Sequence, residues 1–98
     1  MDFKIIWTDP AIEALREIVT HIAADNPTAA RKLGLQLVEH MELAAHFPQM
    51  GPIYSELNSL EIRCLTQGNY RLYYCLGHAA STIEVLAVRH AARDQPRF

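Results

Sequence analysis

The sequence predicts an α+β domain of two layers, a helical hairpin packed on one face of a mostly antiparallel four-stranded sheet. Three observations predict it. A short β-branched and aromatic run comes first, two stretches with helical apolar spacing follow, and three strand-like runs joined by short turns come last.

Residues 3–7, Phe-Lys-Ile-Ile-Trp, read as a strand. Thr8-Asp9-Pro10 opens a helix, with Asp9 expected as N-cap and Pro10 at the first helical position, where its missing N–H costs nothing. Ala11, Ile12, Leu15, Ile18, Val19, Ile22 and Ala23 then recur at helical spacing. Asp25-Asn26-Pro27 ends that helix and starts another, because a residue before proline avoids helical geometry and Asn26 is free to cap. The second helix runs to about Phe47, with Ala30, Leu33, Leu37, Val38, Met41, Ala44 and Ala45 on one face. So short a connection folds the two helices back on each other. Gly34 inside the second helix is either a tolerated defect or the mark of a close helix crossing, and the crossing is the favoured reading.

Residues 48–60 carry two prolines, a glycine and no apolar period, so they read as a loop over the domain edge. Leu60–Leu65, Tyr70–Leu76 and Thr82–His90 read as strands, with turns at Gln67-Gly68-Asn69 and Gly77–Ser81. Ala91–Phe98 carries no element signal. In Thr82–His90, simple alternation puts Ile83, Val85 and Ala87 on one side and Leu86 and Val88 on the other. Both faces are then apolar, yet one helical layer covers one face only. The 91–98 tail or a partner protein is the expected cover for the other.

Ninety-eight residues fit a single domain, 1–98, and exclude a dinucleotide fold or a barrel with its own cleft. Half the residues are apolar and a fifth charged, which fits a globular domain and excludes a disordered one. Met1-Asp2-Phe3-Lys4 opens no signal peptide and no apolar run is long enough to span a membrane, so a cytoplasmic protein is expected. Residues 1–60 hold four cations (Lys4, Arg16, Arg31, Lys32) against eight acids, a balance of −4. Residues 61–98 hold Arg63, Arg71, Arg89, Arg93 and Arg97 against Glu61, Glu84 and Asp94, a balance of +2; the sum is the net −2. A net acidic chain is no general nucleic-acid binder, but its second half can present a local anion-binding surface.

Nucleophile elbows and phosphate-binding glycine loops are absent. His21, His40, His46, His78 and His90 are scattered, so neither a metal nor another cofactor is expected. A hairpin looped at 67–69 or 68–69 pairs residues whose numbers sum to 136 or 137. Cys64 and Cys75 sum to 139, so neither register sets them opposite for a disulfide. The arginines are the chemical lead. Arg63, Arg71, Arg89 and Arg93, with His90 adjacent, lie on or just after the strands of one sheet. Two readings stand: a clamp for phosphates with His90, Glu61 or Glu84 moving protons, or edge arginines paired with nearby acids and water.

Several segments, in this order, resemble the ParE branch of the RelE/ParE superfamily of bacterial toxin–antitoxin toxins. They are Trp7-Thr8-Asp9-Pro10-Ala11, then 22–30 at the helix–helix turn, then Phe47-Pro48-Gln49-Met50-Gly51. Glu61-Ile62-Arg63, Tyr70-Arg71-Leu72-Tyr73-Tyr74 and Val88-Arg89-His90-Ala91-Ala92-Arg93-Asp94 complete the set. The resemblance implies a sheet of order 1-4-3-2 and a cognate antitoxin wrapped across the toxin, for which Tyr73, Ile83, Val85 and Ala87 are the expected contacts. It also implies a toxin of the plasmid-stabilisation type that poisons DNA gyrase, and the surface expected to do so is where the cations gather: Arg63, Arg71, Arg89, His90 and Arg93. The alternative from the RelE branch is a ribosome-dependent messenger-RNA endoribonuclease using Arg63, Arg89 and His90. A non-toxic binding module with the same fold is the third possibility. The net acidic charge and the lack of any lysine after Lys32 favour the gyrase reading.

Overall fold

A computed structural model describes residues 2–77, 81–93 and 96–98. Three sequence features fall on the remaining positions: the middle of the Gly77–Ser81 turn, His78, and Asp94 of the tail motif. They lie outside the described residues.

The elements are β1 (Lys4–Trp7), α1 (Asp9–Ala23), α2 (Pro27–His46), β2 (Ile53–Leu57), β3 (Leu60–Gln67), β4 (Tyr70–Leu76) and β5 (Thr82–His90). They form one five-stranded sheet of order β1-β5-β4-β3-β2. β1 pairs parallel with β5 and every other pairing is antiparallel. The four expected strands keep the expected order. The fifth, β2, lies inside the segment read as a loop and extends the sheet beyond β3.

The start of α1 differs from expectation. The flanking residue is Thr8, not Asp9, and Thr8 makes no side-chain cap. Its hydroxyl instead donates to the Val85 carbonyl at 2.7 Å, tying the helix entrance to β5. Asp9 remains in the first turn, where a carboxylate suits the positive end of the helix dipole. At α2 the expectation holds: the Asn26 side chain accepts from the Ala29 N–H at 3.1 Å, with Pro27 in the first turn. A Cβ on Gly34 would meet Val19 Cγ2 at 3.5 Å, so the two helices do approach closely there.

β4 and β5 carry the second difference. Tyr73 opposes Ala87 and Tyr74 opposes Val85, so Leu86 is an extra residue, a β-bulge. The bulge changes the parity of the strand. Ile83, Val85 and Val88 all pack under the helices with Leu37, Met41, Leu65, Leu72 and Tyr74. Ala87 faces the other way, with Tyr73, Cys75 and Ile62. The simple alternation that grouped Ala87 with Ile83 and Val85, and Val88 with Leu86, is corrected here. The face away from the helices is the open face of the sheet.

Candidate functional site

The β3–β4 hairpin turns through Gly68 and Asn69, with Gln67 opposite Tyr70, so its pairs sum to 137. Cys64 lies opposite Tyr73 and Cys75 opposite Ile62. Burial pushes both thiols up from their ordinary range, and Glu84 adds to the rise at Cys75. Such thiols are poor nucleophiles.

The five target-binding candidates divide into two groups. Arg63 stands apart, on the helix side of β3. Its guanidinium donates to the Gly51 carbonyl at 2.7 Å, the Gln49 carbonyl at 3.1 Å and Glu61 at 3.0 Å. Its side chain is only 15% exposed. Beside it the Tyr74 hydroxyl donates to the Pro48 carbonyl at 2.8 Å and accepts from the Gly51 N–H at 3.1 Å. Arg63 and Tyr74 thus pin the 48–51 loop, and the Phe47–Gly51 motif is a structural latch. A Cβ on Gly51 would sit 2.9 Å from both the Cys64 carbonyl and the Tyr74 hydroxyl, so the latch needs glycine.

The other four gather at the opposite end of the sheet. Arg71 on β4 lies directly opposite Arg89 on β5, on the open face. His90 follows and points to the helix side, where its ring meets Tyr70 edge-on at 5.1 Å. Arg93 comes next, its N–H donating to the His90 carbonyl at 3.1 Å. Arg89, His90, Arg93 and Arg97 line one groove, facing Glu13 and Glu17 of α1. Arg97 was not among the candidates, although the charge count places it in the same cationic half.

The His90 Nδ1 accepts the Ala92 N–H at 3.1 Å, an exposed local contact. Glu61 is bound to Arg63 on β3. Glu84 lies six residues up β5, roughly 15–20 Å from His90. Of the endoribonuclease set, Arg89 and His90 lie side by side on β5 while Arg63 stands apart on β3, and neither Glu61 nor Glu84 is placed beside His90. Among the described residues no group of His, Cys, Asp and Glu could hold a metal ion.

The four expected antitoxin contacts also divide. Ile83 and Val85 are fully buried beneath the helices, where a partner could reach them only by opening the core. Tyr73 and Ala87 lie on the open face. Tyr73 is nonetheless fully buried, because Tyr54 of β2 packs edge-on against it at 4.8 Å and Phe98 covers it at 5.7 Å. Tyr54 and Phe98 carried no signal in the sequence beyond being aromatic.

Family membership follows from a match of residues 5–95 to the model of the ParE toxin of type II toxin–antitoxin systems. The chain belongs to the ParE toxin family. No curated protein matches it. Among solved structures, this ParE-family chain is similar to the chromosomal ParDE system of P. aeruginosa, with a TM-score of 0.71, 19% identity, and 90% of this chain and 95% of that one covered. It is similar to the archaeal RelE–RelB complex of Pyrococcus horikoshii, with a TM-score of 0.67, 15% identity, and 96% and 100% covered. It is also similar to the RelBE2 toxin–antitoxin complex of Mycobacterium tuberculosis, with a TM-score of 0.58, 21% identity, and 92% and 99% covered. At these identities the structures share the fold. Among the described residues of the ParE-family chain, no helix is long and apolar enough to cross a membrane.

Proposed function

We propose that this ParE-family toxin is held inactive by a cognate antitoxin on the open face of its sheet, and that it acts by binding DNA gyrase, not by cutting RNA. The observation that supports the second half is the hydrogen bond that His90 makes. RNA cleavage at a 2′-hydroxyl needs a positioned base, and the His90 Nδ1 already accepts the Ala92 N–H. What remains is a cluster of cations, Arg71, Arg89 and Arg93, suited to gripping phosphate or acidic protein. Gyrase engaged on DNA presents both. The net charge of −2 does not oppose this, because the cations sit at one end of the sheet.

The antitoxin half rests on the family and on the open face, where Tyr73 and Ala87 belong to an apolar cluster without a helical layer over it. The three structures to which the fold is similar are a ParDE system and two RelE-type toxin–antitoxin complexes. The test is induced expression with and without the neighbouring gene, scored for growth arrest and for the DNA-damage response. Arrest with DNA damage, relieved by the neighbour, supports the proposal. Arrest without DNA damage overturns the gyrase half.

A further inference from the structure

The outer face of α2 carries a charge pattern that the fold does not use. Leu37, Met41 and Ala44 turn inward and are fully buried. On the opposite side Arg31, Lys32, Leu35, Glu39 and Glu42 are all exposed, with Leu35 at 57% near the middle of the helix. The charges are sorted by position: both cations precede Leu35 and both acids follow it. At about 100° per residue, Arg31 and Glu42 fall on one flank of Leu35, and Lys32 and Glu39 on the other. Along the helix axis Lys32 and Glu39 are roughly 10 Å apart, and Arg31 and Glu42 roughly 16 Å, so neither pair closes within the helix. Among the described residues none of these four charges is in an ion pair.

We infer that this face binds a second copy of the chain, the two α2 helices packing antiparallel about a two-fold axis beside Leu35. Such an axis lays each flank of the stripe on the same flank of the other copy, with the direction reversed. Lys32 then meets Glu39 of the other copy, Arg31 meets Glu42, and Leu35 meets Leu35. Each ion pair occurs twice, and the two exposed leucines leave water between them. A parallel pairing would set Arg31 against Lys32 and Glu39 against Glu42, so charge selects the antiparallel arrangement. The order cation, leucine, acid is complementary to itself when reversed, which singles out a second copy over an unrelated partner. This surface lies on the helix side of the sheet, across from the open face, so the inference goes beyond the antitoxin reading and does not depend on it.

Sedimentation equilibrium of the full chain tests the inference. One helix face is smaller than a standard interface, so the dimer should form in the range of about 1–100 µM. Lys32→Glu alone, or Glu39→Lys alone, sets like charges together twice per dimer and should weaken association about tenfold or more. Mixed in equal amounts, the two variants should associate as tightly as the unaltered chain, because each supplies the charge the other lacks. Both positions are exposed, and circular dichroism checks that each variant is folded. The chain carrying both changes regains complementarity with itself and should dimerise like the unaltered one, which covers the case in which a single variant does not fold. An unaltered chain that stays monomeric throughout this range overturns the inference. So does a dimer indifferent to either single change, or a weakening that neither mixing nor the double change reverses. Toxicity does not enter the measurement, so failure here leaves the toxin reading standing.

Discussion

Arg71 and Arg89 stand directly across from each other on β4 and β5, two cations on one face of a net acidic protein. Like charges in this position destabilise a sheet by a few tenths of a kcal/mol up to about 1 kcal/mol.

Arg89→Ala should therefore separate function from stability. Arg89 is exposed, and its loss removes the repulsion, so stability in urea should stay level or rise by about 0.5 kcal/mol. Growth arrest should weaken, and weaken further when Arg93→Ala is added. Loss of stability in Arg89→Ala, with toxicity unchanged, would count against the binding surface.

The bulge at Leu86 makes a sharp contrast between near neighbours. Val85 is fully buried under the helices, so Val85→Asp strands a charge in the core and should unfold the chain, a cost of about 4 kcal/mol or more. Ala87→Asp lies on the open face at 8% exposed, away from the helix-covered core, and should cost less than Val85→Asp. Circular dichroism of the two variants checks this, and equal collapse of both would deny the change of parity.

The 48–51 latch gives a third expectation. Tyr74→Phe leaves the Pro48 carbonyl and the Gly51 N–H without their partner and should cost about 1–3 kcal/mol. Gly51→Ala should cost as much or more, since the new Cβ would lie 2.9 Å from the Cys64 carbonyl. Urea titration of each variant reads the change directly.

Most of the fold is legible in the sequence because its signals are local. Pro10, Asn26 and Pro27 mark helix starts, and Gly68 marks the hairpin whose register follows by counting. β2 was not legible. It is an edge strand whose Ile53 and Leu57 are exposed, so it has no buried alternation to detect. Its turn uses Asn58 and Ser59, both with positive φ (50° and 69°), in place of the glycine that usually signals one. The bulge at Leu86 carries no marker residue either, and one extra residue was enough to exchange the sides of Ala87 and Val88. Within the candidate site the arginines were visible as a charge bias. Their partners were not: Arg63 is held by backbone carbonyls 12 and 14 residues earlier, contacts no pattern of side chains encodes.

Alkali should unfold the protein early. Burial raises the Tyr73, Tyr74, Cys64 and Cys75 groups above their ordinary values, against smaller opposing effects from Arg71 at Tyr73 and from the Gly51 N–H at Tyr74. Each is an acid held protonated by the fold. Its contribution is complete below the unfolded-state pKa and is lost as pH rises through the raised folded value. Melting temperature should thus decline from about pH 9 upward. In Tyr74→Phe the decline should be shallower. A flat profile to pH 11 would contradict it.

The central claim is that this ParE-family toxin works by binding, without a catalytic base. The most direct measurement is a parallel assay of gyrase-linked DNA cleavage and of messenger-RNA cleavage on ribosomes, run on the unaltered chain and on His90→Ala. The account predicts gyrase-linked cleavage, intact messenger RNA, and a partial loss in His90→Ala that resembles the loss in Arg89→Ala. Messenger RNA cut on ribosomes with gyrase untouched, and that activity abolished by orders of magnitude in His90→Ala, would contradict it.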